Sequence, residues 1–222
     1  DTSRIALTGV YFEFMPYAAK ITATDGHFLA HYELEDSSLE EFTFILPPIP
    51  IKQMGKTKGI NWTTDIYANR ATFWTTSGPL EIKITSKLIE GPYPNYKQVL
   101  PKSNPNVLTI DRETLLNAVS GLLPCTNKIT NVIKYYFGSD TGLKLTAEDS
   151  ETRAKGSENV QGVYCGVNIA LAFNGKFFKT VLETIETEKI QITVSNKTTA
   201  GMFFPVNGSN DLYLIMPLRM DA

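Results

Sequence analysis

Val132-Ile133-Lys134-Tyr135-Tyr136-Phe137, followed by Leu143-Lys144-Leu145-Thr146-Ala147-Glu148-Asp149, reads as two successive strands. The same succession stands earlier in the chain as a strand ending Val10-Tyr11-Phe12 and then Lys20-Ile21-Thr22-Ala23-Thr24-Asp25. Each copy continues with a short strand running into a helix start, Phe44-Ile45-Leu46-Pro47 in the first and Leu171-Ala172-Phe173-Asn174 in the second. Each then closes with a strand pair, beginning at Ile60 and Ile190 and finishing near Leu80–Ile84 and Leu212–Met216. One order of elements recurring at an offset of roughly 124–132 residues is the signature of a duplicated structural unit. The reading is two domains of one topology.

Period-two alternation supports the strands. Phe28, Ala30, Tyr32 and Leu34 alternate with Leu29, His31, Glu33 and Glu35, and Phe42, Phe44 and Leu46 repeat the pattern, as do Leu80, Ile82 and Ile84, then Ile190, Ile192 and Val194. Helices are few. Asp111 can cap a segment with Leu115, Leu116, Val119, Leu122 and Leu123 on one stripe, and Asn174 can cap another with Phe177, Phe178, Val181, Leu182 and Ile185. A proline-opened helix is expected over Pro48 to Lys56. The fold class expected is therefore α+β, with antiparallel sheets and few helices.

Between the copies, Gly91-Pro92-Tyr93-Pro94-Asn95-Tyr96-Lys97-Gln98-Val99-Leu100-Pro101 reads as an extended surface linker, because proline fixes φ and removes backbone donors. This places one domain at residues 1–102 and the other at 103–222. The second copy carries a strand and helix, Val107 to Leu123, ahead of its first matched strand, whereas the first copy has no room for them. The first domain is accordingly expected to lack its opening strand and helix.

Composition excludes more than it selects. With 42% hydrophobic and 20% charged residues, the chain is globular rather than disordered. No apolar run reaches the roughly 18 residues of a membrane span, and residues 1–20 lack the layout of a signal peptide. Cys125 and Cys165 are too few for a disulfide framework, which points to a reduced, cytoplasmic setting. A net charge of −2 argues against wrapping nucleic acid by bulk electrostatics, so any DNA contact must come from a local patch.

Three segments resemble the bacterial DNA sliding clamp, the beta subunit of DNA polymerase III. Ala23-Thr24-Asp25-Gly26-His27-Phe28-Leu29-Ala30 is similar to that family's Ala-Thr-Asp-Gly-His-Arg-Leu-Ala. Tyr93-Pro94-Asn95-Tyr96-Lys97-Gln98-Val99-Leu100-Pro101 is similar to its Phe-Pro-Asp-Tyr-x-x-Val-Leu-Pro, and Tyr213-Leu214-Ile215-Met216-Pro217-Leu218-Arg219-Met220 to its Tyr-Val-Val-Met-Pro-Met-Arg-Leu. Ala172-Phe173-Asn174 is a weaker match to Gly-Phe-Asn. The resemblance covers nearly the whole chain and places it on the second and third of three repeated clamp domains.

That resemblance implies a non-catalytic processivity factor without cofactor or metal, with antiparallel sheets outside and helices lining the inner face. The full-length protein would be a head-to-tail homodimer ring around duplex DNA, bound without regard to sequence, while the 222-residue chain alone is expected to be monomeric. The replicative polymerase, the clamp loader and repair proteins would dock by short linear peptides into a cleft between the second and third domains. The match assigns to that cleft Leu7, Thr24, Gly26, His27, Phe28, Leu29, Pro94, Gln98, Val99, Asn174, Phe177, Leu214, Ile215, Met216, Pro217, Leu218, Arg219 and Met220. Phe28 stands where the family usually has arginine, and Lys97-Gln98 where an arginine often follows the linker tyrosine. Both changes make the cleft less basic. Candidates for the DNA-facing surface are Arg4, Lys52, Lys56, Lys58, Arg112, Lys176 and Lys179. Glu183 and Glu186 offset the last two.

Other functions fit the residues poorly. His27 beside Asp25, with Thr24 or Ser3 as nucleophile, could suggest catalysis, but no second acid, phosphate loop or nucleophile elbow accompanies them. No His, Cys and carboxylate cluster has metal-ligand spacing. The alternative class is a secreted β-rich adhesion or carbohydrate-binding module, favoured by sequons at Asn61, Asn196 and Asn207 and by 11% aromatic residues. A chain rich in Asn and Thr produces such triplets by chance.

Overall fold

The computed structural model describes residues 5–35, 41–57, 61–77, 79–139, 142–206 and 208–219. Arg4, Lys58 and Met220, expected above as site residues, lie outside the described residues. Residue contacts divide the chain into two units, Asp1–Gly26 with His31–Asn95 and His27–Ala30 with Tyr96–Ala222.

The first unit opens with strands β1 (Val10–Met15), β2 (Ala18–Thr24), β3 (Phe28–Glu35, of which the first three residues group with the second unit) and β4 (Phe42–Leu46). They lie in the order β3-β2-β1-β4. Helix α1 (Pro48–Met54) follows, with proline in its first turn, and then a three-stranded antiparallel sheet of β5 (Thr63–Tyr67), β6 (Arg70–Ser77) and β7 (Leu80–Lys87). The core gathers Phe44, Leu46, Ala71, Phe73 and Leu88, with Phe12, Phe14, Ile51 and Trp62 packed against it. Cross-strand pairing of β1 with β4 aligns Phe12 with Phe44 and Phe14 with Phe42, whose rings stack at 4.8 Å and 4.5 Å. Offset aromatic pairs of this kind add about 0.5–1.5 kcal/mol beyond area burial.

Two expectations need correction here. The first strand does not end at Phe12 but begins at Val10 and runs to Met15, turning through Tyr17 at φ 67°. The closing strand pair is a triplet, since β5 and β6 form a hairpin through Ala68 at φ 52°. Neither turn contains glycine, so neither gave the usual turn signal. In β3, the buried positions are Leu29 and His31, which alternate with the half-buried Phe28, Ala30 and Tyr32. His31 is accommodated because its Nδ1 lies 2.8 Å from the Thr22 hydroxyl. A buried imidazole with a polar partner can occupy a core-facing position without the full desolvation penalty.

The second unit contains β8 (Asn106–Asp111), α2 (Arg112–Leu122), β9 (Val132–Gly138), β10 (Gly142–Glu148), β11 (Lys155–Val160), β12 (Gly162–Cys165), β13 (Ile169–Asn174), α3 (Gly175–Thr184), β14 (Lys189–Val194), β15 (Gly201–Pro205) and β16 (Leu212–Ile215). One run of strands has the order β12-β8-β14-β15-β16 and the other β11-β10-β9-β13. The order β11-β10-β9-β13 reproduces β3-β2-β1-β4, and β14-β15-β16 reproduces β5-β6-β7. The repeat read from the sequence is thus a repeat of topology.

Both expected caps form. The Asp111 carboxylate accepts the Thr114 N–H at 2.7 Å, and the Asn174 carbonyl accepts Lys176 N–H at 2.9 Å and Phe177 N–H at 3.4 Å. These side chains satisfy donors that a helix start leaves without intrahelical partners. Leu115, Val119 and Leu122 of α2 and Phe178, Val181 and Leu182 of α3 are buried. Tyr135 stacks on Phe178 at 4.4 Å, and Phe203 meets Phe178 edge-on at 4.9 Å.

Candidate peptide-docking and DNA-facing sites

Strand β2 ends in Thr24-Asp25-Gly26, and the turn that follows is built by side chain and backbone together. Thr24 Oγ1 accepts the Gly26 N–H at 3.1 Å, and Gly26 adopts φ 91°. That conformation strains any residue with a Cβ, so the glycine of this motif is required by backbone geometry. The turn delivers His27, Phe28 and Leu29, which group with the second unit.

There they meet the C-terminal motif. The Met216 N–H donates to the His27 carbonyl at 2.9 Å, and the Phe28 ring lies against Phe177 with centroids 6.0 Å apart at 28°. Leu218 N–H donates to the Ala172 carbonyl at 2.7 Å, fixing the tail beside β13. Leu29, Leu214 and Ile215 are buried beneath, while Phe28, Asn174, Phe177, Met216, Pro217 and Leu218 are half-buried and Arg219 is exposed. The half-buried set is mainly apolar, with a methionine whose flexible thioether adapts to varied surfaces.

The remaining expected cleft residues divide between the units. Gln98 and Val99 belong to the second, on and just after a 3-10 turn at Tyr96–Gln98, and both are exposed. Leu7, Thr24, Gly26 and Pro94 belong to the first. Beside Pro94, Tyr93 stacks on Tyr11 at 4.8 Å and 7°, and its hydroxyl donates to the Thr22 carbonyl at 3.4 Å. Burial pushes the Tyr93 phenol up to about 12. Sequence reasoning missed this aromatic clamp, because no local pattern links Tyr11 to Tyr93.

Lys52, Lys56 and Lys176 are exposed on or beside α1 and α3. Lys179 pairs with Glu183 one turn on, at 3.6 Å. Arg112 stands apart from the other DNA-facing candidates. Its Nε donates to the Thr187 carbonyl and its Nη1 to the Leu182 carbonyl, both at 3.0 Å. The guanidinium therefore caps the C-terminal end of α3, where a cation also suits the helix dipole.

The pattern of the family described as DNA polymerase III beta subunit, C-terminal domain, matches residues 97–219. The chain belongs to that family. Among beta sliding clamps, it is 25% identical over 226 residues to that of Synechococcus elongatus and 27% identical over 220 residues to that of Pseudomonas aeruginosa. It spans 60% and 59% of those proteins, against 99% and 98% of its own length. A crystal structure of the DNA polymerase sliding clamp from Pseudomonas aeruginosa with ligand superposes with a TM-score of 0.89 at 25% identity, covering 98% of this chain and 59% of that one. The beta subunit from Thermotoga maritima, 23% identical, shares the fold with a TM-score of 0.86. Membership of the beta-subunit family removes the adhesion or carbohydrate-binding alternative. Among the described residues, no helix is long and apolar enough to cross a membrane.

Proposed function

We propose that this chain is the peptide-docking portion of a DNA sliding clamp, a cytoplasmic, non-catalytic processivity factor that tethers the replicative polymerase, clamp loader and repair proteins to duplex DNA. The observation that carries the reading is the meeting of two distant motifs. Met216 is hydrogen-bonded to His27, and Phe28 packs on Phe177. A linear peptide with a few apolar anchors needs such a half-buried apolar surface with polar backbone groups at hand. Gln98 and Val99, of the same unit, complete the proposed docking residues. Phe28, in place of the family's usual arginine, removes a cation and favours apolar over acidic anchors.

On the DNA side, Lys52, Lys56 and Lys176 are the cations proposed to touch phosphates. Lys179 contributes less because Glu183 offsets it, and Arg112 is assigned to α3 instead. A topological clamp needs only weak, sequence-blind phosphate contact, so few lysines suffice on an acidic chain. A head-to-tail ring closes only when both complementary surfaces are present. The 222 residues span about 60% of their relatives, and this polypeptide alone is expected to sediment as a monomer and to leave circular DNA freely. A stable dimer retained on closed circles would overturn that expectation.

The direct test is titration with a Gln-Leu-x-Leu-Phe peptide. Micromolar binding, roughly −8 kcal/mol, is expected, with loss of binding when the chain is truncated before Leu218. Affinity unchanged by the truncation would place the docking site elsewhere.

A further inference from the structure

The two units cover equivalent sheet faces differently. In the first, Tyr11 stands opposite both Thr22 and Ile45, and in the second Lys134 stands opposite both Thr146 and Ala172. After the last strand of each unit the chain returns to the same edge. Ile89 N–H donates to the Ile45 carbonyl at 2.9 Å, and Leu218 N–H to the Ala172 carbonyl at 2.7 Å. In the first unit the chain then continues as an extended segment, Gly91-Pro92-Tyr93, and lays the Tyr93 ring on Tyr11. In the second, the matching face among the described residues is a shallow depression of about 590 Å³, lined in part by Lys134, Tyr136, Thr146, Glu148 and Lys155. A neighbouring depression of about 410 Å³ shares Tyr136 and adds Lys144.

This face has a definite chemistry. Tyr136 is 40% exposed although its neighbours Tyr135 and Phe137 are fully inside. Lys144 stands directly across from it on β10, and Lys134 lies two residues along β9 on the same face. Glu148 pairs with Lys155 at 2.7 Å and also lies in the field of Lys134, so three lysines against one glutamate leave this face with a net positive charge among the described residues. On a chain with net charge −2, that is a local reversal of sign around an accessible ring. At Tyr11's position in the equivalent face of the first unit, this face has Lys134 in place of the aromatic.

We infer that the β9–β10 face is a second docking surface, for an extended acidic peptide segment that carries an aromatic residue. The ring stacks on Tyr136 as Tyr93 does on Tyr11, and flanking carboxylates pair with Lys134 and Lys144. This site shares no residue with the Phe28–Phe177–Met216 surface, so the two are separable.

Fluorescence anisotropy with a labelled Glu-Asp-Tyr-Glu-Asp peptide tests the proposal on the 222-residue chain at low salt. Saturable binding is expected, weakened at least tenfold by Lys134→Gln with Lys144→Gln and several-fold by Tyr136→Ala. The lysines are exposed, so the unfolding midpoint of the double variant should match the parent. The same variants should leave Gln-Leu-x-Leu-Phe binding unchanged, and the two peptides should not compete. Binding indifferent to the double variant would overturn the proposal, as would competition with the Gln-Leu-x-Leu-Phe peptide. Oligothymidylate binding that needs these lysines, without binding of the acidic peptide, would also overturn it and assign the face to nucleic acid.

Discussion

The first and second units share a strand order but not a quality of core. In the second, Leu115, Val119, Ile133, Tyr135, Phe173, Phe178 and Ile192 are all at or below 1% exposure. In the first, every residue of β1 is only half-buried, and Phe42 remains 36% exposed. The difference traces to β8 and α2, which have no described counterpart in the first unit. Where α2 packs on α3, the second unit closes a layer that the first completes with α1 and stacked phenylalanines. Topology is thus set by the strand pattern, whereas the depth of burial depends on how many elements cover each sheet.

Truncation of core aromatics tests this contrast most strongly. Phe178→Ala should cost about 3–5 kcal/mol, the usual range for a fully enclosed phenylalanine. Phe14→Ala, at a half-buried rung of the first unit's ladder, should cost about half as much in the same denaturant titration. Equal losses would erase the distinction.

Gly26→Ala comes next. Forcing a Cβ into the left-handed region should cost about 1–2 kcal/mol and weaken peptide binding, because the turn aims His27 and Phe28. Unchanged stability and affinity would mean that the turn relaxes without disturbing either motif.

Asp111→Ala should remove about 1 kcal/mol by uncapping α2. The hydrogen bonds from the Thr114 hydroxyl and N–H hold this carboxyl below its ordinary value of 3.8. A depressed folded pKa means that the cap's contribution is complete above the unfolded value and is lost as pH falls through the folded one. The wild-type advantage over Asp111→Ala should therefore persist from neutral pH to about pH 4 and shrink below it. A gap that instead closes between pH 7 and 5 would assign the effect to another group.

The smallest effect should have the opposite sign. The Tyr135 hydroxyl is fully buried and has no hydrogen-bond partner among the described residues, and burial raises its pKa well above the ordinary phenol. Tyr135→Phe should stabilise the second unit by up to about 1 kcal/mol, since an unsatisfied buried hydroxyl is a cost. Destabilisation would reveal a polar partner for that hydroxyl.

Much of this was legible in the sequence because its determinants are local. Asp111 and Asn174 announce their helices by residue type and spacing, and several strands announce themselves by alternation. The Thr24-Asp25-Gly26-His27 and Met216-Pro217-Leu218 segments stood out as motifs, although nothing local told that Met216 would bond to His27. Long-range partnerships were the unreadable part. Arg112 looked like a surface cation until its donors met the Leu182 and Thr187 carbonyls, and Tyr93 looked like linker until it met Tyr11. The β5–β6 hairpin escaped because Ala68 adopts a positive φ that its sequence does not advertise.

A double-mutant cycle between Phe28 and Phe177, read as affinity for the Gln-Leu-x-Leu-Phe peptide, tests the central claim that both motifs build one docking surface. Each alanine variant should weaken binding about tenfold, roughly 1.4 kcal/mol. The double variant should lose clearly less than the sum, because the rings act through each other. Fully additive losses, or no loss from Phe28→Ala, would contradict a shared site.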